Sequence, residues 1–182
     1  MYPTDVDLYT AARNGASEQV ERYLAQGANV NCASAEGNNT PLHLAALKGH
    51  LKVVQVLLDR RASIDAVNNN NSTPLHAAAL KGHLQVVQVL LDQGASVDAV
   101  NNKNCTPLQL ATQNGHDQVA ALLARSIALV QVHERAVELL LSRRSASLTP
   151  SSIDRSWCTR NRSTCVRTTP IAGGKWFANM LA

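Results

Sequence analysis

Six histidines and four cysteines are the residues of this chain best suited to chemistry at neutral pH, as metal ligands, general bases or nucleophiles. Their spacing argues against each of these uses. His43 and His76 stand 33 residues apart, and His50, His83 and His116 recur at the same interval. A recurrence of that kind assigns each histidine to a place in a repeat and not to a shared site. No cysteine or carboxylate joins them at the short intervals of a zinc site, and His133 lies outside the series as a solvent-facing helix residue. Cys32, Cys105, Cys158 and Cys165 follow no metal-ligand pattern and are expected as free thiols in a reducing compartment. Neither a Ser-His-Asp or Cys-His arrangement nor a Gly-rich phosphate loop can be assembled from the chain. The expectation is a non-catalytic protein with no metal and no cofactor.

What positions the histidines is a repeat. Thr40, Thr73 and Thr106 each open a Thr-Pro-Leu tripeptide at intervals of 33 residues, and residues 40–72 and 73–105 differ at only 7 of 33 positions. A third copy begins at Thr106, and a diverged first copy, lacking the tripeptide, fits with Ala11, Ala12 and Gly15 against Ala45, Ala46 and Gly49. In the copy 73–105, Thr73 is a natural N-cap and Pro74 occupies the first helical position, where a missing N–H costs nothing. A short helix is expected through LHAAAL until Gly82, then a second through LQVVQVLLD until Gly94, both ended in the left-handed conformation. Asn101 to Asn104 is turn chemistry. Leu75, Ala78, Val86, Val87, Leu90 and Leu91 are too many apolar residues for so short a unit to bury alone, so each copy must stack on the next.

Thr-Pro-Leu-His, the following Gly-His, the Val-Val-x-x-Leu-Leu run and the Gly-Ala-x-Val-Asp close resemble the ankyrin repeat, over residues 5 to 125. The resemblance implies an all-α solenoid of helix-turn-helix repeats with projecting turn fingers: repeats at about 5–39, 40–72, 73–105 and 106–125, then a capping helix over 126–142. It implies that both histidine positions are structural, bonding turn backbones between neighbours. Three departures stand out. Asn38, Asn71 and Asn104 hold the finger place usual for Gly, and Asn is the residue that next best tolerates a left-handed turn. Arg61 replaces the Gly found at Gly27 and Gly94, which predicts backbone strain there. Gln109 replaces the motif histidine and is expected to loosen the local hydrogen bonding. Asn31, equivalent to Asp65 and Asp98, could be hydroxylated as in some ankyrin proteins; the preferred reading is a hairpin residue bonding its own turn.

In the family, partners contact the finger tips and the exposed edge of the first helices. Carried over residue by residue, the fingers give Glu36, Asn39, Asn69, Asn70, Ser72, Asn102, Lys103 and Cys105. The helix edge gives Arg13, Asn14, Leu47, Lys48, Leu80, Lys81, Gln113 and Asn114. This surface is mildly basic and amide-rich, suited to another protein that presents carboxylates beside an apolar anchor.

Composition supports a core of small helices, since 45% of residues are apolar but only 3% aromatic. The net charge of +4 is not spread evenly: residues 1–125 hold 9 Lys/Arg and 10 Asp/Glu, whereas 126–182 hold 8 and 3. Nucleic acid or an anionic membrane is therefore expected as a partner only through the tail, and such anchoring is the alternative function. Residues 143–182, rich in Ser, Thr and Arg, are expected to be disordered, with Trp157 and Trp176 in water and Ser145, Ser147 and Thr149 open to phosphorylation. The N-terminus shows no secretory signal, the sequons at Asn38, Asn71, Asn104 and Asn161 are expected to be unmodified, and a cytoplasmic monomer is expected.

Overall fold

A computed structural model describes residues 3–146, and among them every regular element is an α-helix. The chain divides into two compact units, Met1–Glu134 and Arg135–Ala182; of the second, only the last turns of the final helix are described. The tail expectations, including the tryptophans and the phosphorylation sites from Ser147 on, lie outside the described residues, as do the side chains of His133 and Ser145.

The helices come in pairs: α1 (Pro3–Asn14) with α2 (Ser17–Ala25), α3 (Pro41–Lys48) with α4 (Leu51–Asp59), α5 (Pro74–Lys81) with α6 (Leu84–Asp92), and then α7 (Pro107–Gln113) followed by α8 (Asp117–Ala146). Inner helices α1, α3, α5 and α7 stack in one row, and outer helices α2, α4 and α6 stack behind them. The expected starts are met residue for residue. Thr40, Thr73 and Thr106 are extended N-caps with proline next, and each closes a capping box with the residue at the third helical position. Gly49 and Gly82 end α3 and α5 with φ of 77° and 74°.

Burial follows the repeat. Leu8, Leu42 and Leu75 occupy one repeated inner position and Leu57, Leu90 and Leu123 one outer position, and all six are fully buried. Each contributes about 1.5–3 kcal/mol. Ala45, Ala46, Ala78 and Ala79, also fully buried, let the inner helices approach closely.

The outer helix of the fourth repeat does not stop where its predecessors do. Gly27, Arg61 and Gly94 turn the chain out of α2, α4 and α6 with φ of 88°, 61° and 85°. The equivalent residue is Ile127, whose branched β-carbon resists that conformation, and α8 runs on. There is thus no turn separating a capping helix at 126. Of the apolar residues at helical spacing expected to cover the last repeat, Val119 and Leu123 are buried and Leu122 half-buried, but Val130, Val137 and Leu141 are exposed.

Candidate functional site

The fingers project from the inner helices because asparagines fold and crosslink them. Asn38, Asn71 and Asn104 are left-handed, with φ of 55°, 53° and 53°. The amides do more than tolerate that turn. Asn38 Nδ2 donates to Val67 O of the next finger at 3.3 Å, and Asn71 Nδ2 to Val100 O at 2.8 Å, bonds that glycine could not make. Between backbones, Asn69 N donates to Gly37 O at 3.0 Å and Asn102 N to Asn70 O at 2.9 Å. Within a finger, Asn68 Oδ1 accepts from Asn70 N and Ser72 N, and Asn101 Oδ1 from Lys103 N and Cys105 N.

Five of the six histidines are used up by this framework. His43 Nδ1 accepts from Thr40 N at 3.2 Å, which places the imidazole proton on Nε2, where it donates to Ser72 O at 2.9 Å. His76 does the same between Thr73 N and Cys105 O. Burial pushes both imidazoles below the ordinary histidine value, opposed by the backbone carbonyls they serve, so each stays neutral and fixed. His50, His83 and His116 carry the second ladder, from Nε2 to Arg13 O, Leu47 O and Leu80 O at 3.1, 3.1 and 3.2 Å. Among the described residues no group of three or more His, Cys, Asp or Glu could hold a metal. Cys32 and Cys105 are free thiols; burial, with Asp5 beside it, pushes the Cys32 thiol up to about 11.

Two expectations change. Gln109 loosens nothing at its own cap: its Oε1 accepts from Thr106 N at 2.9 Å, as the histidines do. What it gives up is only the onward bond to another finger. Asn31 does not serve its own turn. Its Oδ1 accepts Ser63 N of the next repeat at 2.8 Å, and Asp65 likewise takes Ser96 N at 3.0 Å and Ser96 Oγ at 2.7 Å. The side chain at this position joins successive hairpins.

Between fingers and inner helices runs a groove of about 450 Å³. Its apolar residues are Leu44, Leu47, Ala77, Leu80 and Leu110; its polar ones are His43, His76, Asn39, Asn68, Asn70, Ser72, Asn101, Asn102 and Lys103. Lys103 is the only charged residue lining it. Of the residues singled out from sequence, the groove brings together Asn39, Leu47, Asn70, Ser72, Leu80, Asn102 and Lys103. Arg13, Asn14, Glu36, Lys48, Asn69, Lys81, Gln113 and Asn114 are exposed but do not line it, and half-buried Cys105 does not either. Sequence reasoning missed Leu44, Ala77 and Leu110. They share one repeat position three residues before the selected leucines, and on a helix such a residue neighbours Leu47 or Leu80; reading that column would have found them.

Among the curated proteins that match part of this chain are two from a plant and a yeast. The acyl-CoA-binding domain-containing protein 4 of Oryza sativa subsp. japonica is 43% identical over 51 residues, 28% of this chain and 15% of that protein. The ankyrin repeat-containing protein YIL001W of Saccharomyces cerevisiae is 41% identical over 59 residues, 32% of this chain and 11% of that protein. In both, the match thus spans a small part of the relative's length. The family model described as ankyrin repeats in three copies matches residues 8–101 and 62–133. With stacked helix pairs, histidine-bonded fingers and that match over more than half its length, the chain belongs to the ankyrin-repeat family.

Proposed function

We propose that this chain is a non-catalytic adaptor or scaffold that binds another protein in the groove between its fingers and inner helices. The family's fold generally mediates protein–protein interaction, and the feature that supports this site is the groove's composition: aliphatic side chains with a wall of amides. That is the apolar centre and polar rim of a protein-binding surface. We propose the cytoplasm as its compartment, on the strength of the free thiols of Cys32 and Cys105.

The test is capture of partners by the immobilised full chain and by its Leu80→Glu variant, with folding checked by circular dichroism. Leu80 lines the groove and is 36% exposed, so the charge falls on the binding surface and not in the core. Proteins kept by the parent and lost by the variant support the reading; equal capture refutes it. The excess of 8 Lys/Arg over 3 Asp/Glu in residues 126–182 favours a second reading, an electrostatic anchor to nucleic acid or anionic lipid. That reading requires association with DNA or anionic vesicles that falls steeply with salt and is indifferent to Leu80→Glu.

A further inference from the structure

The inner helices of the second and third repeats, PLHLAALK and PLHAAALK, differ at one residue, Leu44 against Ala77. The fourth repeat returns to leucine at the same place, Leu110. All three line the groove, so a methyl group stands where both neighbours in the stack carry an isobutyl group. Leu80, on the same helix, also lines the groove. The gap stays open to the groove: Leu44 is packed down to 9% exposure, whereas the shorter Ala77 is left half-buried and lines the groove wall. The result is a notch at the middle of the groove with aliphatic walls. Its surroundings are also lopsided in charge: Lys103, from the finger of the Ala77 repeat, stands where the preceding finger has the neutral Asn70, and no carboxylate lines the groove to oppose it.

We propose that the notch over Ala77 receives a single aromatic side chain of the bound protein, and that Lys103 pairs with an acidic residue beside it. This rests on the groove being the binding site and adds the chemistry of the occupant. A concave, aliphatic-walled hole at the centre of an interface is where aromatic anchors concentrate binding energy. The nearby amides supply a rim that excludes water without introducing charge, and the lysine selects the sign of the flanking residue.

The chain supplies its own control, since Ala77→Leu only restores what the second repeat already carries. The experiment titrates the full chain with N-acetyl-Trp-Glu-amide, N-acetyl-Leu-Glu-amide and N-acetyl-Trp-Lys-amide, following methyl resonances by NMR. The Trp-Glu probe is expected to bind tightest and to shift Ala77, Leu80 and Leu110. Ala77→Leu is expected to weaken it at least about tenfold with an unchanged melting temperature, and Lys103→Gln to erase the preference for Glu over Lys. Leu44→Ala, which widens the notch, leaves the Trp-Glu probe bound at least as tightly and keeps the test decisive should Ala77→Leu fold poorly. Shifts centred elsewhere, or equal affinity for parent and Ala77→Leu, overturn the proposal. In the partner-capture assay, loss with Leu80→Glu but retention with Ala77→Leu means that the groove binds and the notch does not anchor; loss with neither overturns both.

Discussion

Replacing Arg61 by glycine is expected to stabilise the protein, although it deletes the whole of an arginine side chain. Arg61 sits at φ 61°, in the turn where Gly27 and Gly94 hold φ of 88° and 85°. The left-handed conformation costs a residue with a β-carbon about 1–2 kcal/mol. The side chain recovers none of this: Arg61 is exposed, and its guanidinium makes no hydrogen bond or ion pair with a described residue, Asp59 and Asp92 included. The opposing effect is the extra freedom glycine gives the unfolded chain, about 0.4–1 kcal/mol. The difference favours the variant by about 0.5–1 kcal/mol, a rise in melting temperature of roughly 1–4 °C for a chain of this size.

Thermal and urea unfolding followed by helical ellipticity measure it, with two companions that separate the causes. Arg61→Ala keeps the β-carbon and removes the guanidinium, so its midpoint should equal the parent's. Gly94→Arg installs the same strain one repeat on, where no atom lies within 4 Å of a new β-carbon, and should lose what Arg61→Gly gains. A lower midpoint for Arg61→Gly, or an Arg61→Ala variant as stable as Arg61→Gly, refutes the steric argument.

Acid should weaken the fold through His43 and His76. Burial holds their folded values below the ordinary 6.5, so the unfolded chain binds protons first: stability is flat above that pH and falls below it, by at most about 1.4 kcal/mol per pH unit for each histidine. His43→Gln with His76→Gln, copying the cap at Gln109, should flatten the profile in urea titrations between pH 7 and 5, and an unaltered slope would assign the acid sensitivity elsewhere. Gly82→Ala should be far more damaging than Gly94→Ala, because its β-carbon would stand 2.5 Å from the His116 ring whereas Gly94 faces open space. We expect losses of about 2–4 against about 1 kcal/mol in chemical denaturation, and near-equal losses would discount the close approach. Lys48→Glu with Lys81→Glu should leave the melting temperature unchanged, both residues being exposed outside the groove, and slow partner association by less than about tenfold. A changed dissociation rate would bring both lysines into the interface.

The fold was legible because its determinants are local. Thr-Pro-Leu sets where α3, α5 and α7 start, glycine sets where they end, and a repeat of 33 residues requires every copy to find the same neighbours. Arg61 was legible for the same reason, since a conformation imposed at Gly27 and Gly94 carries to the same column of the copy between them, and the left-handed asparagines because they fill a finger column at 38, 71 and 104 that suits Gly or Asn. Less visible were bonds that pass between copies. Nothing in one repeat tells that Asn71 reaches Val100 or that Asn31 reaches Ser63, because the acceptor or donor lies about a repeat away and is a backbone atom that any residue supplies. The groove was half legible for a related reason: exposed edge residues can be listed from the helix pattern, but which of them face the fingers depends on how helix and finger pack. The continuation of α8 did leave a signal. HERAVELLLSRR at 133–144 repeats HLKVVQVLLDRR at 50–61 in 6 of 12 positions, an outer-helix sequence joined directly to another without finger or inner helix between.

The same inter-repeat bonds predict which end of the stack opens first. At the N-terminal end the series is closed: Asp5, 7% exposed, offers Oδ1 to Asn29 N at 2.9 Å, standing in for the side chain that Asn31 and Asp65 supply to the repeats after them. At the other end the equivalent Asp98 takes no hydrogen from a described residue, and no described hairpin enters the space before it, about 620 Å³ between residues 94–98 and the stretch 122–130 of α8. Gln109 and Asn104 likewise reach no onward finger among the described residues. In a stack where each repeat is held only by its neighbours, the end with fewer bonds across its last interface frays at lower cost. Amide hydrogen exchange should therefore proceed faster at Ala111 in α7 than at Ala12 in α1, by about tenfold if the end differs by one capping interaction of about 1.4 kcal/mol. Asp5→Ala should erase the difference by opening the N-terminal end. Faster exchange at Ala12 in the parent, or no acceleration there in Asp5→Ala, would show that the carboxylate does not seal the stack.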